Sequence, residues 1–195
     1  MRRQVFFVVF ILYFFASNAF ALSDAYKENI YYTGKLKPTD SVLKVKVGHK
    51  APGFTLQAVG GKKVSLKDYA GKKNVVLSFV PAAWTPVCSD QWPGYNIVQD
   101  LFEENDAVLL GITVDNIPTL YSWTNQMGRL WFDVLSDFWP HGAVASRYGI
   151  LRSDGTAERA IIIIDKKGII RYIDVHDINE RPPLESIIYQ LEKLR

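Results

Sequence analysis

The feature that most constrains the fold is an alternation of short β-rich runs with helical patterns, from about Lys46 to the end of the chain. Residues 75–80 are an unbroken β-rich run typical of a buried strand, and residues 108–114 form a second run of this kind. Helical patterns separate these runs and connect one strand to the next. The order predicts an α/β domain with a central sheet flanked by helices.

The C-terminal part of the chain predicts how that sheet ends. Residues 160–164 and 169–175 are β-rich and flank Asp165-Lys-Lys-Gly168, a tight turn that predicts a β-hairpin. Pro183 precedes an apolar repeat at helical spacing, which predicts a C-terminal helix. A mixed sheet that closes with a hairpin and a helix fits a thioredoxin-like fold. The other predicted elements are helices at 118–127 and 142–148 and a short strand at 134–135.

A helical pattern at residues 88–104 follows the first of the predicted strands. Ile97, Leu101 and Phe102 are expected on one face of this helix. Pro93-Gly94 should kink the helix or restart it, because proline lacks the N–H that the helix needs.

Cys88 is the only cysteine of the 195 residues, which excludes a disulfide within the chain and a multi-cysteine metal site. It lies just after a predicted strand and at the start of a predicted helix. A helix N-terminus presents unpaired N–H groups and about half a positive charge, and both stabilise a thiolate. The placement therefore favours a reactive thiol over the alternative, a small buried apolar cysteine.

The stretch Pro81-Ala-Ala-Trp-Thr85-Pro-Val-Cys88 resembles the active-site pattern of the peroxiredoxins, Pro-x-x-x-Thr-x-x-Cys. The resemblance extends over residues 46–195 and is closest to the one-cysteine, AhpE-like branch of the AhpC/TSA family. Thr85 stands where thioredoxins carry the first cysteine of Cys-x-x-Cys, so dithiol exchange within the motif is excluded. The matching segments are Val47-Gly-His-Lys-Ala-Pro-Gly-Phe-Thr-Leu56, Leu135-Ser-Asp-Phe-Trp-Pro-His-Gly142, Tyr148-Gly-Ile150 and Ala160-Ile-Ile-Ile-Ile-Asp165.

The resemblance implies a role for each residue of the motif. Cys88 attacks one peroxide oxygen as a thiolate and becomes a sulfenic acid. Thr85 hydrogen-bonds to the thiolate and the peroxide, or serves only as a helix N-cap. Pro81 shields the thiolate from water, or only ends the strand. Backbone N–H groups of Val87 and Cys88 are expected to complete the site.

A cation is expected beside the thiolate, where it would also stabilise charge on the departing oxygen. The resemblance places it at Arg159, just before the penultimate strand, with Arg147 and Arg152 as substitutes. The alternative for Arg159 is a surface ion pair with Glu158 or Asp154.

The sequence does not assign a single role to several neighbouring residues. Gln91 stands where many relatives carry Glu, which puts any structural or dimer-contact role of that Glu in doubt. Trp84 either walls the pocket or belongs to the core. Trp123 and the pair Phe138 and Trp139 form core, a hydrophobic rim or the surface of a possible homodimer.

The N-terminus has the pattern of a secretion signal. Arg2 and Arg3 precede the apolar residues 5–15, and Ala19-Phe20-Ala21 supplies a small-x-small cleavage site. The apolar run is too short for a comfortable bilayer span, so we expect an exported protein, periplasmic or secreted, with an uncleaved N-terminal anchor as the alternative. The chain is thus divided into a signal peptide at 1–21, a polar N-terminal extension at 22–45 and a peroxiredoxin/thioredoxin-like domain at 46–195.

These observations predict a one-cysteine thiol peroxidase that reduces hydrogen peroxide or organic hydroperoxides without a metal or organic cofactor. Because no second cysteine exists, we expect an external thiol to regenerate Cys88, either a low-molecular-weight thiol or a thioredoxin- or glutaredoxin-like protein. The formal charge of +3 includes Arg2 and Arg3, so the rest is nearly neutral and no nucleic-acid partner is expected. The alternatives are a non-enzymatic thioredoxin-fold redox sensor and a thiol-transfer protein.

Overall fold

The sheet is the centre of the fold. The computed structural model describes residues 24–195, so the predicted signal peptide at 1–21 lies outside the described residues. The described chain forms strands β1 (Thr55–Ala58), β2 (Lys63–Ser65), β3 (Asn74–Phe79), β4 (Ala107–Thr113), β5 (Asp133–Ser136), β6 (Ala160–Ile164) and β7 (Ile170–Val175). Their order is β2-β1-β5-β4-β3-β6-β7, parallel where β4 joins β3 and β5 and antiparallel at the other pairs. The predicted mixed sheet with its closing hairpin is confirmed.

Helices surround this sheet and follow the predicted pattern, except that a short helix lies in the predicted N-terminal extension and one predicted helix is divided. They are α1 (Asp24–Glu28), α2 (Pro86–Gly94), α3 (Gln99–Glu104), α4 (Ile117–Met127), α5 (Ala143–Tyr148) and α6 (Leu184–Glu192). The helix predicted at 88–104 is divided after Gly94 by a 3-10 turn, Tyr95–Val98. This tighter turn shifts the helical phase, so the three residues predicted on one face do not share an environment: Ile97 is 86% exposed, whereas Phe102 is buried. Within residues 24–195, no helix is long and apolar enough to cross a membrane.

Apolar clusters cover both faces of the central strand β3, which is buried along its whole length. Because side chains alternate along a strand, Val75 and Leu77 enter one cluster while Val76 and Val80 enter the other. Cys88 belongs to the second cluster. The thiol therefore lies over the face of the sheet that Val76 and Val80 share.

Residues 24–45, which we call the strap, run over the surface of the domain. Tyr26 of α1 is fully buried in the same cluster as Cys88, and its hydroxyl accepts a hydrogen bond from Nε1 of Trp123 at 3.0 Å. Towards the other end, the strap passes so close to Gly149 that a Cβ there would lie 2.3 Å from the backbone nitrogen of Lys44. Gly149 also has a φ of +77°, which favours glycine. Both ends of the strap thus pack closely against the domain.

Candidate active site

Cys88 is the third residue of α2, beyond a sharply turned loop that follows β3. Thr85 is the N-cap with extended backbone, and Pro86 takes the first helical position, where a missing N–H is tolerated. Trp84 has a φ of +61°, a left-handed conformation that is rare for a bulky residue. The strap supports this turn, because the N–H of Tyr31 donates to the carbonyl oxygen of Trp84 at 2.7 Å.

The side-chain hydroxyl of Thr85 accepts no capping hydrogen bond from the helix. It donates to the carbonyl oxygen of Ala82 at 2.9 Å. A hydroxyl has a single proton, so the Thr85 oxygen is left to accept a hydrogen bond, for example from a peroxide O–H. The N–H groups of the first helical turn, which include those of Val87 and Cys88, have no acceptor within the helix. This end of α2 therefore offers both an acceptor and donors near the sulfur.

Arg159 lies beside the thiol, although it is 71 residues away in sequence. It is 2% exposed, and its Nη2 is 3.4 Å from Sγ of Cys88. Nε and Nη2 also donate to the carbonyl oxygen of Ile178 at 3.1 and 2.9 Å, and Nη1 donates to Oε1 of Gln91 at 2.5 Å. These bonds fix the plane of the guanidinium next to the sulfur.

The charge of Arg159 is not neutralised by a carboxylate. None of the ion pairs within residues 24–195 involves it, and the surface pair considered from the sequence is not observed. Glu158 instead pairs with Arg152 at 2.6 Å, away from the thiol. A buried, unpaired cation is unfavourable, so the guanidinium stabilises negative charge on Cys88 and on a reacting oxygen.

Gln91 has a place in this site that the sequence reasoning missed. It is buried, and its Nε2 donates to the hydroxyl of Tyr95 at 2.9 Å and to Oγ of Ser78 at 3.2 Å, while its Oε1 accepts from Arg159. Burial raises the pKa of Tyr95, so its phenol stays protonated and shares a hydrogen bond with Ser78 at 3.2 Å. The signal in the sequence is Ser78 itself, the polar residue of the otherwise apolar run 75–80.

The other side chains considered from the sequence lie elsewhere. Arg147 donates to backbone carbonyl oxygens and does not contact Cys88. Trp84 is half-buried and packs against the second core cluster, and Trp123 is fully buried in it. Phe138 and Trp139 are exposed, and neither lines the cavity described next.

A cavity of about 410 Å³ is lined by Arg159, the residue whose guanidinium contacts the buried thiol of Cys88. Pro81, Thr85 and Val87 line it as well, so the predicted site residues come together beside Cys88. Within the part of the chain that the structure describes, no group of three or more His, Cys, Asp or Glu residues is placed to hold a metal ion. The site consists of a buried thiol, a fixed cation and an accepting hydroxyl at the end of a pocket.

Known proteins of similar sequence share these features of fold. The AhpC/TSA family profile matches residues 47–173. Alkyl hydroperoxide reductase E of Mycobacterium tuberculosis is 39% identical over 135 residues, which are 69% of this chain and 88% of that protein. A chloroplastic 2-cysteine peroxiredoxin of Chattonella marina var. antiqua is 34% identical over 162 residues, 78% of this chain and 82% of that protein. The structure of reduced Plasmodium vivax 2-Cys peroxiredoxin gives a TM-score of 0.71 at 28% identity, covering 75% of this chain and 80% of that chain.

The fold and these matches define the class as peroxiredoxin, a thiol-dependent peroxidase, which confirms the resemblance drawn from the active-site motif. The chain belongs to the AhpC/TSA family. Its single cysteine agrees with the one-cysteine type. The family match begins at residue 47, so the strap lies outside it.

Proposed function

We propose that this protein reduces hydrogen peroxide or organic hydroperoxides at Cys88, with Arg159, Thr85 and Pro81 forming the site around the sulfur. The observation that carries the proposal is the 3.4 Å contact between Nη2 of Arg159 and Sγ of Cys88, both buried. A cation fixed at that distance serves the thiolate before reaction and the departing oxygen during it. The relatives' names, alkyl hydroperoxide reductase and peroxiredoxin, support the same reaction.

In the oxidative step the thiolate of Cys88 attacks the terminal oxygen of the hydroperoxide. The O–O bond breaks and an S–O bond forms, so the sulfur loses two electrons and the peroxide gains them. The products are a sulfenic acid and an alkoxide or hydroxide, which takes a proton to become an alcohol or water. Thr85 accepts from the peroxide O–H, and Arg159 faces the charge on the departing oxygen.

The reductive step needs a thiol from outside the chain, because Cys88 is the single cysteine. One thiol condenses with the sulfenic acid, which forms a mixed disulfide and releases water. A second thiol then releases Cys88 as the free thiol and leaves as a disulfide with the first. We propose a low-molecular-weight thiol or a thioredoxin- or glutaredoxin-like protein as this reductant.

Steady-state peroxide consumption tests the function. The purified protein is supplied with hydrogen peroxide or cumene hydroperoxide and with glutathione or a thioredoxin system, and the Cys88→Ser variant is run beside it. We expect consumption with at least one reductant, none above background for Cys88→Ser, and a sulfenic acid on Cys88 that a dimedone probe labels. Labelling of Cys88 without any turnover would contradict the enzymatic proposal and favour a redox sensor.

We also propose that the protein is exported. The support is the basic start, the apolar residues 5–15 and the Ala19-Phe20-Ala21 cleavage pattern. Cleavage after Ala21 would begin the mature chain just before the strap. Mass spectrometry of the protein from its native host tests this, and a mature chain that retains residues 1–21 would contradict cleavage.

A homodimer is a further proposal, with the exposed aromatic pair Phe138 and Trp139 as the contact. Aromatic side chains are enriched at protein interfaces, which supports this choice. Light scattering should give the mass of a dimer for the wild type and a smaller mass for Trp139→Ser. A monomeric wild-type protein would contradict the proposal.

A further inference from the structure

The strap forms one wall of the cavity beside Cys88 and is anchored on two sides of it. On one side, the N–H of Tyr31 donates to the carbonyl oxygen of Trp84 at 2.7 Å. On the other, the N–H and carbonyl of Leu36 bond to the side-chain amide of Asn179, each at 2.9 Å. The residues between these anchors that line the cavity are Tyr32, Thr33 and Gly34.

The cavity is much larger than hydrogen peroxide requires. A water molecule takes up about 30 Å³ in the liquid, so a molecule of two oxygen atoms needs on the order of 60 Å³. The cavity holds about 410 Å³, within the range of small-molecule sites. Room therefore remains for an organic group once the two peroxide oxygens lie against Thr85 and Arg159.

Most of the lining away from the thiol is apolar and comes from three segments of the chain. The strap, the segment formed by the loop before α2 and the first turn of α2, and the segment around Ile178 contribute it. The larger apolar lining residues are Tyr32, Leu36, Pro81, Pro86, Val87 and Ile178. An apolar group that binds here would pass from water into contact with the carbon atoms of the lining, and this transfer is favourable in proportion to the apolar area buried.

The lining carries two charged groups of opposite sign. Arg159 lies beside Cys88, where the peroxide reacts, and Asp154 contributes a carboxylate elsewhere in the lining. Although burial opposes it, hydrogen bonds from the Thr156 hydroxyl and N–H lower the pKa of Asp154, so this carboxylate is charged at neutral pH. Nε of Arg152 lies 3.7 Å from its Oδ2, so Asp154 is paired with Arg152 and the charge of Arg159 is left for the peroxide.

We propose that Tyr32 and Leu36 of the strap bind the organic group of an organic hydroperoxide and so set the preference of this protein for organic hydroperoxides over hydrogen peroxide. The inference rests on the proposed peroxidase function and deepens it. It assigns selectivity to a segment that lies outside the family match, residues 47–173.

Stopped-flow oxidation of Cys88 by cumene hydroperoxide and by hydrogen peroxide tests this in Tyr32→Ser and Leu36→Ser variants. Both changes keep the backbone anchors. We expect the rate constant with cumene hydroperoxide to fall about tenfold, as the loss of an apolar contact with the organic group implies, and that with hydrogen peroxide to change less than twofold. Tyr31→Ser is the matched control, because the Tyr31 side chain is about as exposed as that of Tyr32, 72% against 75%, but does not line the cavity.

Each other outcome overturns the proposal. Equal loss with both peroxides would mean that the two side chains support the structure of the site and do not read the organic group. If neither rate constant falls in the Tyr32 and Leu36 variants, or if Tyr31→Ser shows the same fall, the strap side chains do not set the selectivity. The proposed peroxidase function would still stand in that case. If the wild-type thiol reacts with both peroxides no faster than free cysteine, the proposed function fails and the inference fails with it.

Discussion

The inner wall, by which we mean Cys88, Gln91 and the cavity-lining Arg159, is held by side-chain contacts, whereas the part of the strap opposite, Tyr31 to Leu36, is held by its backbone. Arg159 and Gln91 are buried, and their own nitrogen and oxygen atoms make the bonds that place the guanidinium. The strap is anchored by peptide groups, such as those of Tyr31 and Leu36. Chemistry therefore depends on the identity of a few inner side chains, while the cavity-lining side chains Tyr32 and Leu36 can vary without loss of the backbone bonds that hold this part of the strap.

The two walls meet at Ile178. Its N–H donates to the carbonyl oxygen of Pro38 in the strap at 3.1 Å, and its own carbonyl oxygen accepts both Nε and Nη2 of Arg159. A displacement of the strap is therefore expected to move Arg159 as well, because Ile178 is bonded to both. Substitutions at the inner wall, at the strap anchors and at the strap charges should have effects that decrease in that order.

The largest effect is expected for Arg159→Ala. Loss of a preorganised donor at a developing anion slows reactions by about 10² to 10³-fold, and the rate of Cys88 oxidation should fall by that factor. Stopped-flow thiol loss measures it. Arg147→Ala is the control, because Arg147 bonds to backbone carbonyls and not to Cys88. A loss below about threefold for Arg159→Ala would show that the contact with Sγ is not the catalytic cation.

A smaller effect, about tenfold, is expected for Gln91→Leu, which removes the acceptor that holds Nη1 of Arg159. Gln91→Glu keeps an acceptor at that position and should retain most of the rate. The pair of variants separates positioning of Arg159 from a general loss of packing. If both variants slow the oxidation of Cys88 equally, the acceptor at residue 91 does not position Arg159 for the reaction.

At the strap anchor, Asn179→Ala should change stability more than chemistry. It removes two hydrogen bonds to Leu36, and a typical bond contributes about 0.5–1.5 kcal/mol, so we expect the free energy of unfolding to fall by about 1–3 kcal/mol. Urea unfolding measures this, and limited proteolysis should cut the strap faster. Thr33→Ala, a change of an exposed hydroxyl, should alter stability by less than about 0.5 kcal/mol. If the protease cuts the strap at the same rate in Asn179→Ala and Thr33→Ala, Asn179 does not anchor the strap.

The smallest effect concerns the pH dependence of the strap. Hydrogen bonds from Lys37 and from Ser153 hold the pKa of Asp40 well below its usual value. A lowered pKa means that the carboxylate's contribution is fully present above the usual carboxyl range and is lost only as the pH falls below it. Proteolysis of the strap at pH 8 and pH 5 should therefore be the same. Faster cleavage at pH 5 would contradict this, and Asp40→Asn should be cut faster than wild type at both.

The sequence predicted the inner wall where its signal is local. Pro81, Thr85 and Cys88 form one contiguous motif, and the strand before it and helix after it have clear apolar patterns. Arg159 lies 71 residues away and was placed by resemblance to a family, since no local pattern marks it as a partner of Cys88. The structure brings it to the thiol because β6 pairs with β3.

Gln91 and the strap were beyond the reach of sequence patterns for physical reasons. The partners of Gln91 lie on three separate segments, so its network exists only after the sheet and α2 have packed. The strap is held by backbone bonds and a few buried side chains such as Tyr26, which leave no helical or strand period. The sequence of this polar, weakly patterned segment therefore predicts only an extension, and its position beside the active site is visible only in the structure.

The most direct test of the account is the reaction of Cys88 with one equivalent of peroxide in a stopped-flow instrument. We expect the thiol to disappear rapidly and stoichiometrically, much faster than free cysteine under the same conditions, because a buried cation lies 3.4 Å from its sulfur. A rate no faster than that of free cysteine would contradict the central claim that the fold builds a peroxide-reactive site around this residue.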